Sequence, residues 1–222
     1  MSGLLQKSRK LSISHETIYR YVWDDRVRGG SVYQDFRQAA KKRRKRYGTY
    51  DSRGRLAGKR HISERPQVIE QRTQPGHWEI DTVMGNGATH CVLTLVERAT
   101  GFVVIGKPKT RGSHETARKA IQLIRRYPGN FKTITSDNGT EFHAYKRVEK
   151  ATGVKFYFAT PHHAWERGTN ENANGLIRQY LPKRTSMAHV TQRDCNTIAK
   201  KLNTRPRKRY DYDTPEERFH AV

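Results

Sequence analysis

Three carboxylates, Asp81, Asp137 and Glu171, stand at the ends of separate predicted elements in a chain otherwise dominated by positive charge. Asp81 completes the alternating strand pattern His77-Trp78-Glu79-Ile80-Asp81. Asp137 closes Phe131-Lys132-Thr133-Ile134-Thr135-Ser136 and leads into Asn138-Gly139. Glu171 lies in Trp165-Glu166-Arg167-Gly168-Thr169-Asn170-Glu171-Asn172, the start of a predicted helix, with 33 residues between it and Asp137. A mid-strand Asp, an Asp at the end of the next sheet strand and a Glu on a helix packed over the sheet can converge. Phosphodiester cleavage needs an activated oxygen nucleophile, neutralised non-bridging charge and a stabilised leaving oxygen. Two divalent ions roughly 3.5–4 Å apart supply all three. Magnesium takes hard oxygen ligands, a few carboxylates plus water and phosphate, so Mg2+ is the expected cofactor, with Mn2+ as a substitute.

Other acids compete for the same role. Glu79 shares a strand face with Asp81, so the period of two does not separate them. Glu141 lies four residues beyond Asp137, as a helix-start or supporting group. Glu166 is five positions before Glu171, about 140° around a helix, so only one of the two can face the sheet edge. Arg178 falls nearly on the Glu171 face, where it can meet a metal-held phosphate, and Arg167, four residues before Glu171, shares that face.

The elements that must position these groups follow from periodicity. Residues 77–84, 90–98 and 102–107 read as strands joined by Gly85-Asn86-Gly87 and Ala99-Thr100-Gly101, turns suited to antiparallel hairpins. Ser113 caps a helix with Ala117, Ile121 and Ile124 inward and Arg118, Lys119, Arg125 and Arg126 outward. A strand at 131–136, a short helix near 140–150, a strand at 154–159, a helix from about Trp165 to Tyr180 and a last helix near 191–203 complete an α/β pattern. Upstream, Ser14 caps a helix over His15–Trp23, with Ile18, Tyr19 and Val22 as its apolar face. Residues 1–12 offer little to pack against it.

Composition narrows the partners. The 222 residues carry 44 Lys and Arg against 21 Asp and Glu, a formal charge of +23, with 34% apolar residues. A polyanion is the default partner, although a basic structural protein shares this balance. Residues 1–74 hold 19 Lys and Arg against 7 acids and residues 75–222 hold 25 against 14, so the shorter segment is the denser. Six consecutive cations, Lys41, Lys42, Arg43, Arg44, Lys45 and Arg46, read as phosphate contacts without sequence specificity in a linker. Cys91 and Cys195 have no partner at zinc spacing. His77, His90, His162 and His163 lack a helical two-His arrangement. Trp78 and Trp165 read as packing residues, and Asn170, Asn172 and Asn174 as groups that orient Glu171 or touch backbone, with helix capping as the equal alternative for Asn170. No run approaches the roughly 18 apolar residues of a membrane span, and a cytoplasmic, nucleoid-associated protein is expected.

The segments Gly76-His77-Trp78-Glu79-Ile80-Asp81-Thr82-Val83, Ser136-Asp137-Asn138-Gly139-Thr140-Glu141-Phe142 and Asn170-Glu171-Asn172-Ala173-Asn174-Gly175-Leu176-Ile177-Arg178 resemble bacterial insertion-sequence transposases of the IS-thirty type. Leu202–Lys208 and Thr214-Pro215-Glu216 resemble that family's C-terminal end, and Ser14-His15-Glu16-Thr17-Ile18-Tyr19 a segment near the end of its DNA-binding region. The resemblance implies an RNase H-like fold, a mixed sheet of three antiparallel strands then two more, flanked by helices and related to retroviral integrases. It implies that Asp81, Asp137 and Glu171 form a DDE metal triad followed by Arg178. Hydrolysis at an element end and strand transfer into target DNA would then proceed without a covalent protein intermediate, in a homo-oligomer. The expected organisation is a helix-turn-helix remnant over 1–40, a basic linker over 41–74 and the catalytic core over 75–222. A truncated, non-catalytic DNA-binding derivative and a bare metal-dependent nuclease of the same fold are the alternatives.

Overall fold

The computed structural model describes residues 1–8, 12–36, 58–87, 89–161 and 163–221. The chain divides into two compact units. One comprises Met1–Tyr50 with Pro206–Thr214, and the other Asp51–Arg205 with Pro215–Val222.

In the first unit, α1 (Ser2–Lys7) and α2 (His15–Val27) are joined by the extended segment that carries Ser14. The Ser14 hydroxyl accepts the Thr17 N–H at 3.0 Å, the cap that its residue type predicts. α1 is held by residues from elsewhere in sequence. Gly3 lies under the Tyr212 ring, where a Cβ would stand 1.8 Å from the ring carbon. Lys7 pairs with Asp213 at 2.9 Å. Of the expected apolar face of α2, Val22 is buried, whereas Tyr19 is half exposed and packs its ring on Phe36.

The second unit is built on a sheet of β1 (His77–Met84), β2 (Cys91–Glu97), β3 (Val103–Gly106), β4 (Thr133–Ser136) and β5 (Lys155–Phe158), in the order β3-β2-β1-β4-β5. The first three strands are antiparallel, and β4 and β5 run parallel to β1. Helices α3 (Ser113–Ile124) and α4 (Tyr145–Thr152) form the crossovers β3–α3–β4 and β4–α4–β5. Ser113, expected to cap α3, is its first residue; Gly112 is the N-cap and no side chain caps the helix. Both crossovers step the same way along the sheet, so right-handedness places both helices on one face. α5 (Gly168–Ile177), α6 (Gln192–Asn203) and α7 (Pro215–His220) follow. This is the mixed, helix-flanked RNase H-like architecture.

Strand alternation divides the apolar residues between two cores. Trp78, Ile80, Leu93 and Leu95 pack with Ala117, Leu123 and Val148 of α3 and α4. Val83, Val92, Val96 and Ile105 pack with Ala173 and Ile177 of α5 and Ile198 and Leu202 of α6. Each fully buried aliphatic contributes about 1.5–3 kcal/mol. Phe219 of α7 closes the first core, stacked on Phe102 at 4.1 Å and edge-on to Trp78.

Both sheet edges are covered. The Asn203 side-chain amide of α6 accepts the Val103 N–H at 2.8 Å and donates to the Val103 carbonyl at 2.9 Å. Gln192 donates to the Ile105 carbonyl and accepts the Lys107 N–H. At the other edge Phe158 N–H donates to the Arg60 carbonyl at 2.9 Å, and His61 bridges β5. Residues 58–70, within the 41–74 stretch, also bury Ile69 and the Arg65 side chain. Among the described residues no helix is long and apolar enough to cross a membrane.

Candidate functional site

β1 and β4 run parallel with Glu79 opposite Thr135. Asp81 and Asp137, each two residues further on, therefore emerge at the same end of the sheet. A single guanidinium joins them. Arg167 places Nη1 3.5 Å from Asp81 Oδ2 and Nη2 3.3 Å from Asp137 Oδ2. Arg167 does not continue the Glu171 helix as its spacing predicts. It is the N-cap of α5, at φ −125° and ψ 35°, because a 3-10 turn at Ala164–Arg167 precedes the α-helix. That break in periodicity turns its side chain to the aspartates.

Asp81 is held on both oxygens. The Thr82 N–H donates to Oδ1 at 2.8 Å and Asn174 Nδ2 donates to Oδ2 at 3.0 Å. Burial pushes its carboxyl up to about 6; Arg167 opposes this, and the charges of Asp137 and Glu141 add to it. Asp137 Oδ1 accepts the Gly139 N–H at 2.9 Å. A Cβ on Gly139 would stand 2.7 Å from Glu141 Oε2 and 2.9 Å from Asp137 Oδ1, so any side chain there would push both carboxylates from these positions. Asn138 fastens this turn to the end of β5 by donating to the Ala159 carbonyl at 2.8 Å.

Glu171, in the first turn of α5, is exposed and has no hydrogen bond or ion pair among the described residues. Arg178, the C-cap of α5, donates to the Leu181 carbonyl at 3.4 Å and forms no ion pair with the three acids. Among the described residues no cluster of three or more His, Cys, Asp or Glu is arranged to hold a metal ion. Asp81 and Asp137 are thus brought together, and Glu171 is not brought with them. The cations Lys41–Arg46 lie outside the described residues, as does His162.

Each rival acid has other partners. Glu79 is fully buried, accepting Arg98 Nη1 at 2.7 Å and the Asn170 N–H at 2.8 Å. Glu79 thereby satisfies an otherwise open donor at the start of α5. Asn170, expected to cap this helix, is instead its third residue and receives help from the sheet. Glu141 is buried against the Thr82 hydroxyl at 2.7 Å and Arg111 at 2.9 Å. Burial works against its charge, yet its own backbone N–H, Thr82 and Arg111 together hold its carboxyl below the usual range. Glu166 accepts the Thr160 N–H at 2.7 Å and contacts His163.

Trp165 corrects the packing expectation. It is 70% exposed, stacked on His163 with centroids 4.3 Å apart, whereas Trp78 is buried as expected. His77 bonds the Thr133 hydroxyl at 2.8 Å. Cys91 and Cys195 are free and buried, and burial pushes each thiol up to about 11. The roles of Asn174, Thr94 and Arg98 were not legible in sequence. Thr94 ties the Asp81 carbonyl to the amides of Asn170 and Asn174 at 3.2–3.3 Å. The i, i+4 repeat of Asn170 and Asn174 was the available signal.

Residues 71–164 match the integrase core domain family. The chain is 41% identical over 210 residues to the transposase for insertion sequence element IS4351 of Bacteroides fragilis, covering 95% of this chain and 64% of that protein. It is 38% identical to the transposase for IS1086 of Cupriavidus metallidurans, covering 92% and 61%. It is 34% identical to the transposase InsI for IS30A of Escherichia coli K12, covering 98% and 59%. The chain spans about three fifths of the length of these relatives. The integrase-core match and likeness of this extent to several insertion-sequence transposases support identification of the chain as a transposase of the DDE/IS30 type.

Proposed function

We propose that this protein is a metal-dependent DNA transposase, in which Asp81, Asp137 and Glu171 hold divalent magnesium for phosphodiester hydrolysis and strand transfer. The observation that carries the proposal is the sharing of one cation, the Arg167 guanidinium, by Asp81 and Asp137. Two carboxylates already gathered around a positive charge at the end of a sheet fit a divalent ion in that place. Glu171 is one residue from Asn170 and three from Asn174, so its carboxylate starts on the flank of the same site. The metals, when bound, supply Lewis acidity and a low-pKa water. The chain's own groups set the frame: Thr82 and Asn174 orient Asp81, Gly139 admits the close approach of Asp137 and Glu141, and Glu79 anchors the start of the Glu171 helix. Arg167, released from the aspartates, meets a phosphate, with Arg178 further along α5.

In this reading residues 75–222 are the catalytic core, residues 41–74 a basic linker that includes Lys41–Arg46, and residues 1–40 a DNA-binding segment. The partners are element ends and target DNA, engaged by a homo-oligomer in the cytoplasm. The test is magnesium-dependent cleavage and joining of the protein's own element ends, comparing wild type with Asp137→Asn. Metal-dependent joining that the variant loses supports the transposase. Hydrolysis without joining makes it a nuclease of the same fold. DNA binding without turnover in either protein makes it a non-catalytic binding derivative.

A further inference from the structure

α3 and α4 lie side by side and run in the same direction. His114, at the start of α3, meets Arg147 in the first turn of α4 at 2.7 Å. Arg125, just past the end of α3, reaches the Ala151 carbonyl near the end of α4 at 3.5 Å. Over residues 113–126 and 145–152 there are seven Lys and Arg against two Glu. Both acids are already engaged. Glu115 pairs with Arg118 at 2.6 Å, and Glu149 accepts the Phe156 N–H and pairs with Arg60. Arg125, Lys146, Arg147 and Lys150 are exposed and form no ion pair among the described residues.

This array is far from Asp81. Asp81 shares strand parity with Val83, which packs against α5 and α6, whereas α3 and α4 cover the face of Trp78 and Ile80. Their outward cations therefore lie across the sheet from the aspartate pair, beyond a further helix layer about 10 Å thick.

We propose that the outer face of α3 and α4 is a second, sequence-independent binding surface for the backbone of duplex DNA, separate from the segment held at the aspartates. It rests on the reading of the protein as a DNA transposase. The geometry suits the ligand. Arg118 and Arg125 are seven residues apart on one helix, a rise of about 10 Å. Packed helices stand about 8–10 Å apart, so the two cationic rows straddle a spacing between the minor groove, about 6 Å wide, and the major groove, about 12 Å. Each row can follow one phosphate strand. Clustered like charges repel one another in the free protein; phosphates offset that repulsion, and the counterions they release on binding make the gain salt-dependent.

The test uses the full chain, a labelled duplex of arbitrary sequence and chelator, with anisotropy titrations across a salt series. The set Arg118→Gln, Arg125→Gln, Arg147→Gln and Lys150→Gln should weaken binding roughly tenfold or more at low salt and flatten the log K against log salt slope by about 0.9 per lost contact. A set that exchanges Arg and Lys at the same four positions should keep the wild-type slope. Wild-type affinity and slope in the Gln set would overturn the surface while leaving the transposase reading intact. Intact duplex binding through this face without metal-dependent cleavage would sink the transposase reading and leave the surface standing. No salt-dependent duplex binding by wild type would overturn both. Melting curves check folding, and if the fourfold Gln set unfolds, Arg125→Gln and Lys150→Gln alone decide, each expected to flatten the slope.

Discussion

Arg167 stands with one guanidinium nitrogen 3.5 Å from Asp81 and the other 3.3 Å from Asp137. A divalent ion shared by the two carboxylates must displace it. Arg167→Ala should therefore tighten magnesium binding by DNA-free protein about fivefold, the equivalent of about 1 kcal/mol for a half-buried ion pair. Calorimetry reads this directly, and an unchanged or weaker affinity would show that the guanidinium does not occupy the cation's place. Cleavage should fall in the same variant, because the phosphate contact goes with the side chain.

Glu171 separates function from stability most cleanly. It is exposed and unpartnered among the described residues, so Glu171→Gln should shift stability by no more than about 0.5 kcal/mol. Cleavage should nevertheless drop by about a thousandfold or more. A variant that melts like wild type and still cleaves would remove Glu171 from the metal set.

Glu79 is expected to behave in the opposite way. Its carboxylate is sealed against Arg98 and the Asn170 N–H, so Glu79→Gln should lose about 2–3 kcal/mol by weakening a buried pair. It should keep more cleavage activity than Asp81→Asn when both are assayed well below their melting temperatures. Equal abolition would place Glu79 in the chemistry.

Asp81 and His77 give stability opposite slopes with pH. The Asp81 carboxyl, pushed up to about 6 by burial, favours the protonated fold. The stability it contributes is complete below about pH 4 and is lost as pH rises through about 6. Without metal near neutral pH, Asp81→Asn should therefore be more stable than wild type, by up to about 3 kcal/mol. His77 is lowered to about 4 by burial, then by the charges of Lys132, Arg98 and Arg65. Its contribution is complete above about pH 6.5 and is lost as pH falls toward 4. His77→Gln should be less sensitive to acid than wild type. Melting temperatures at pH 5 and pH 7 separate the effects, since each variant removes one slope.

The strand at 77–84 was legible to the residue because its alternation is long and its neighbours are turn formers. The pairing of Asp81 with Asp137 followed from a mid-strand acid beside an acid just past the end of the neighbouring strand. Arg167 was misplaced because helical spacing was extended through residues that form a 3-10 turn, and a local pattern does not reveal where an α-helix takes over. The role of Glu79 was hidden for a different reason. Its partners Arg98 and Asn170 lie 19 and 91 residues away, contacts that only the folded sheet creates. Trp165 looked like packing by residue type, yet the loop that carries it faces solvent.

The side-chain amides of Asn203 and Gln192 on β3, and the Arg60–His61 segment on β5, leave neither margin of the sheet free to recruit another strand. In the homo-oligomer of the proposed function, copies of this chain would therefore associate through helix faces and loops. Loss of the Asn203 amide would do more than loosen α6: it would bare the Val103 N–H and carbonyl on an edge strand, and the expected defect is a greater tendency to self-associate, read by light scattering at temperatures below the melting transition.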